Sequence, residues 1–65
     1  MSIQDVAKKI KELNNERRQL LDQNFQLNTK RLKATDKEDI ALMQQQLTIV
    51  AKIEQIDASL AVLQS

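Results

Sequence analysis

The 65-residue chain has no glycine, proline, cysteine or histidine, and Phe25 is its single aromatic residue. Each absence excludes something. Without Gly or Pro, the tight turns that need positive φ and the usual punctuation between strands are missing, so an all-α chain is expected. Without Cys no disulfide can form, and without Cys or His no ordinary structural zinc site can either. Catalysis usually recruits His, Cys or glycines that let the backbone approach a substrate, and no pair of carboxylates here has an accompanying base or nucleophile. The chain is therefore expected to be non-enzymatic, with no cofactor, no metal and no small-molecule substrate.

An excess of charge of one sign is lacking too: ten Lys/Arg stand against nine Asp/Glu, a net charge of +1. The distribution is less even than the sum. Residues 3–34 carry eight basic and four acidic side chains, whereas residues 35–65 carry two basic and five acidic ones, so the two halves should attract. No apolar run approaches the roughly 20 residues of a membrane-spanning helix, and the N-terminus has no stretch suited to a signal peptide. The expectation is a cytoplasmic protein that does not engage a membrane.

What is present is a modest apolar set. Setting aside six Ala and Met1, twenty large apolar residues remain to form a core. They must offset an ordering cost of roughly 1.5 kcal/mol per residue, a balance that rarely leaves a chain this small much margin. With disulfides and zinc excluded, self-association or a partner chain is the remaining source of stability.

The pattern divides the chain in two. Ser2 can cap a first helix, with Asp5 three residues on, and Ile3, Val6, Ile10 and Leu13 then repeat at helical spacing, continued by Leu20 and Leu27. At Thr35-Asp36-Lys37-Glu38 a Thr N-cap and a Glu at the third helical position form a capping box ahead of a second periodic stretch. Lys30, Arg31 and Lys33 before it, and Asp36, Glu38 and Asp39 after it, complement the dipoles of an ending and a starting helix. Capping is also the better reading of that acidic trio than calcium binding, since it lacks a loop glycine. Helix one is expected over about 3–33, the turn at 34–35 and helix two over 36–64, giving one antiparallel, coiled-coil-like two-helix hairpin. Asn14 and Asn15 are poor mid-helix residues, and a break there would make three helices instead.

A heptad register places Ile3, Ile10, Arg17, Asn24 and Arg31 at one core position of helix one, and Val6, Leu13, Leu20, Leu27 and Ala34 at the other. Beyond residue 17 its centre turns polar while Leu21, Phe25 and Leu32 open a second apolar row. The polar positions either fix register from within, with Arg17 and Arg31 reaching Glu54 or other carboxylates, or face solvent because the seam has drifted toward Leu21 and Phe25. The second reading is preferred. On helix two, Leu42, Ile49, Ile53, Ile56, Leu60 and Leu63 lie on one line, and Ile40, Met43, Leu47, Val50 and Ala61 on another well round the helix. The run Gln44-Gln45-Gln46 reads as an uncharged outer face.

One partner helix covers one stripe, so a lone hairpin would leave apolar surface in water. A homodimer completing a helical bundle, or docking onto another protein, would cover it. The expected function is a protein–protein interaction module acting as adaptor, assembly subunit, secretion-type chaperone or inhibitor, with Leu21, Phe25, Leu32, Ile40, Met43, Leu47, Val50 and Ile53 as contact residues. The alternative is an RNA- or DNA-binding bundle dimer using Lys8, Lys11, Arg17, Arg18, Lys30 and Arg31 along helix one. In layout alone, with no shared motif, the chain resembles the helical-hairpin chaperones of type III secretion needle proteins and the small plasmid copy-number proteins that dimerise into four-helix bundles.

Overall fold

A computed structural model describes residues 2–65. They form two α-helices of 29 residues each, α1 (Ile3–Arg31) and α2 (Asp36–Gln64), folded back on each other as an antiparallel hairpin with extents of 50 × 15 × 12 Å. Among the described residues there is no strand and no positive φ, so the reversal is made without the left-handed residue that glycine would ordinarily supply.

Both helix starts follow from their caps. Ser2 is extended, and its Oγ accepts the Asp5 amide at 3.1 Å. Thr35 is extended likewise, and its Oγ1 accepts the Glu38 amide at 3.3 Å while Glu38 Oε1 accepts the Thr35 amide at 3.2 Å and the Thr35 hydroxyl at 2.8 Å. This is the capping box expected from the sequence. The hydrogen bonds from Thr35, side chain first and then backbone, hold the Glu38 carboxyl below its ordinary range. Helix α1 ends at Arg31, two residues earlier than expected. Lys33 and Ala34 donate back to the carbonyls of Lys30 and Arg31 at 3.2 and 3.3 Å, tight three-residue bonds that satisfy carbonyls at a helix end lacking a Gly cap. Helix α1 runs unbroken through Asn14 and Asn15, because a locally weak propensity is overridden when neighbours on the same helix are packed.

The core is a single seam. Leu13, Leu20 and Leu27 of α1 meet Ile49, Ile56 and Leu60 of α2, with Ile10, Leu42, Ile53 and Leu63 packed against them. Even the most enclosed of these, Ile56, keeps 6% of its surface in water, because two helices touch only along a line.

Candidate interaction surface

Burial on α2 falls on Asp39, Leu42, Gln46, Ile49, Ile53, Ile56, Leu60 and Leu63, an unbroken alternation of three- and four-residue steps. On α1 and its extension it falls on Val6, Ile10, Leu13, Arg17, Leu20, Asn24, Leu27, Arg31 and Ala34, with the same alternation. This is a heptad seam kept throughout, polar residues included. It corrects the preferred sequence reading: Arg17, Asn24 and Arg31 do not face solvent behind a drifting stripe. They are part of the interhelical seam, and Leu21 and Phe25 are the residues left outside.

Near the turn the seam is held by polar contacts. Arg31 Nε donates to Asp39 Oδ1 at 2.6 Å and its Nη2 to Oδ2 at 3.2 Å, a two-pronged ion pair, while Nη1 donates to Gln46 Oε1 at 2.7 Å. Gln46 Nε2 donates in turn to Asn28 Oδ1 at 2.6 Å and to the Asn24 carbonyl at 3.3 Å. The bond from Arg31 is the main reason the Asp39 carboxyl is held below its ordinary range, and the same bond raises the guanidinium. Gln46 is therefore buried, not on the outer face expected for the glutamine run. Its neighbour Asn24 keeps a buried Oδ1 with no donor. Further from the turn, Arg17 Nε donates to Asp57 Oδ1 at 2.7 Å; Asp57, and not Glu54, is its carboxylate.

The outward side near the turn is apolar. In heptad notation Arg31, Asn24 and Arg17 are a residues and Leu27 and Leu20 are d residues; on α2, Asp39, Gln46 and Ile53 are a and Leu42 and Ile49 are d. Because the helices run in opposite directions, the e and b positions of both lie on one side of the pair, and the g and c positions on the other. The surface grooves agree, since one is lined by Phe25, Asn28, Thr29, Arg31, Leu32 and Asp39, and one on the opposite side by Glu16, Leu20, Lys52, Gln55, Ile56 and Ser59.

Leu21 and Val50 occupy e positions, Met43 a further e position, and Phe25, Leu32, Ile40 and Leu47 occupy b positions. All seven thus share one side, confined to the half of the hairpin nearer the turn. All are exposed, led by Leu32 at 85%, Phe25 at 69% and Leu47 at 63%. Toward the open end the same side becomes charged, with Lys11 and Arg18 on α1 and Glu54 and Asp57 on α2.

Seven of the eight contact residues expected from the sequence are therefore brought together. Ile53 is not among them: it is half-buried at an a position against the core. The basic residues considered for nucleic acid are not gathered on one face. Lys11 and Arg18 are on the e/b side, Lys30 lines a groove on the g/c side, Lys8 is on the outer back of α1, and Arg17 and Arg31 are engaged with Asp57 and Asp39. Among the described residues no group of three or more His, Cys, Asp or Glu could hold a metal ion, and no helix is long and apolar enough to cross a membrane.

The chain matches no protein-family model, and no curated protein and no solved structure matches it significantly.

Proposed function

We propose that the chain is a non-enzymatic protein–protein interaction module that works by helix-to-helix packing through the e/b face of its turn half. The observation that carries this reading is the grouping of seven exposed large apolar side chains on one side of one half of the hairpin. Taking about 150 Å² for a large side chain left wholly in water, the low end of the aromatic range because six of the seven are non-aromatic, their exposed fractions amount to roughly 600 Å². The largest apolar patch on a typical soluble monomer is roughly 300–600 Å² and is itself often functional, and this face stands at the top of that range. Single exposed leucines need no explanation, but a contiguous face of this size does.

The dispersal of the basic side chains favours protein contact over nucleic acid. Two of the six are occupied by carboxylates, and the remainder point in several directions, whereas a nucleic-acid footprint needs them on one surface. Leu47→Asp and Phe25→Asp test the reading. Both positions are exposed, so helicity by circular dichroism should be kept while the native mass falls or partner capture is lost. Unchanged mass and unchanged capture in both variants would sink it.

A further inference from the structure

The occupant of this face can be argued from the residues around it, given the interaction reading above. We propose that it is a second copy of the chain, related by a two-fold axis running along the hairpin's length, so that α1 of each copy covers α2 of the other and both turns lie at the same end. The Arg31–Asp39 and Asn24–Gln46 contacts, together with Arg17–Asp57 and Asn28–Gln46, which are offset from them by four residues, centre the register that sets which residues of the two helices stand level. Moving away from the turn, each step along α1 is matched by one along α2. Leu32 is thus level with Ile40, Phe25 with Leu47, and Arg18 with Glu54, all at b positions.

A two-fold axis along the hairpin keeps every residue at its level and exchanges the helices. Leu32 then meets Ile40 of the second copy, and Phe25 meets Leu47, each contact occurring twice. Past the end of the apolar patch, Arg18 meets Glu54 of the second copy. Neither residue has an ion-pair partner within its own chain among the described residues. The face is therefore complementary to itself both ways, apolar against apolar near the turn and positive against negative beyond it. Turning the second copy end for end about the patch instead brings Glu54 near Asp36 of the other copy, two like charges, and leaves both open ends overhanging. The area also fits: roughly 600 Å² from each copy gives about 1,200 Å² in all, the lower end of the range for specific, stable interfaces.

Charge exchange tests this arrangement. Arg18→Glu and Glu54→Arg alter exposed side chains outside the seam, so each variant should keep its helicity. In each variant alone, like charges face each other twice in the pair, and sedimentation equilibrium should show dimer affinity weakened about tenfold. In an equal mixture of the two variants, only the heterodimer sets the two exchanged side chains against each other as an opposite-charge pair, and it keeps the native Arg18–Glu54 pair at the second contact. Affinity in the mixture should therefore return to that of the wild type. Variants that dimerise as the wild type does, or a mixture no tighter than its components, would overturn the arrangement. A wild type that stays monomeric, yet loses a co-purifying protein on Leu47→Asp, overturns self-pairing and leaves the interaction reading standing. A monomer whose associations ignore Leu47→Asp overturns both.

Discussion

Asn24→Leu should make the protein more stable. The Asn24 side chain sits at an a position of the seam with its Oδ1 buried and without a donor, while its backbone carbonyl, which the substitution leaves in place, accepts from Gln46. A buried polar atom with no partner costs about 1–3 kcal/mol. Removing it recovers that cost, and a leucine only partly enclosed at a two-helix seam adds about half of the roughly 1.5–3 kcal/mol that full burial provides. A gain of about 2 kcal/mol is expected after some strain in fitting the branched side chain. For a domain of this size that raises the melting temperature by about 8–16 °C. The same substitution removes a polar seam residue of the kind that fixes register and chain number, so the variant should also show a broader distribution of native masses. Thermal and urea unfolding followed by circular dichroism, with light scattering on the same samples, measures both. A variant less stable than the wild type would refute the reasoning, because it would mean that the Asn24 amide contributes favourable bonds to the folded state.

Other expectations follow from single features of the fold. Ile56→Ala, at the most enclosed core position, should cost about 2–5 kcal/mol, enough that urea titration finds much of the population unfolded without denaturant. Thr35→Ala deletes the side chain that caps α2 and anchors the capping box, and should cost about 1 kcal/mol, read as a fall of about 4–8 °C in melting temperature. Stability should fall in acid. Asp39 and Glu38 are held below their ordinary values of 3.8 and 4.5 in the folded chain, so their contribution is complete above those values and is lost as pH drops through the lower folded ones. Melting temperatures recorded from neutral pH downward should be flat to about pH 5 and then decline, and Asp39→Asn should flatten part of that decline.

Much of the hairpin is legible in the sequence because its determinants are local. Absent Gly and Pro leave helix as the economical conformation, and the Thr35–Glu38 box is a four-residue signal whose bonds form within one turn. The exposed apolar face is legible for a similar reason, since Leu21, Phe25, Leu32 and Ile40, Met43, Leu47, Val50 fall off the seam by simple helical spacing. The polar seam is legible in its positions, since the heptad places Arg17, Asn24 and Arg31 at the core, but not in its bonding. Whether Arg31 or Gln46 points inward depends on Asp39, Asn24 and Asn28 across the hairpin, partners 8 to 22 residues away that no local pattern reveals. Polarity argues for the outside, yet the three–four alternation, followed strictly through residues 39, 42, 46 and 49, places Gln46 within. Ile53 misleads in the opposite sense: three residues after Val50 and four after Ile49, it continues either row, and only the seam's register assigns it to the core.

The melting temperature of the pure wild type as a function of its own concentration is the most direct measure of whether the outward apolar face is covered by a second copy. A hundredfold increase in concentration adds about 2.7 kcal/mol of mass-action stabilisation to a folded dimer, and the transition should move up by several degrees while the native mass reads twice 7.5 kDa. A transition that stays at one temperature across that range, with a mass of 7.5 kDa throughout, would contradict it.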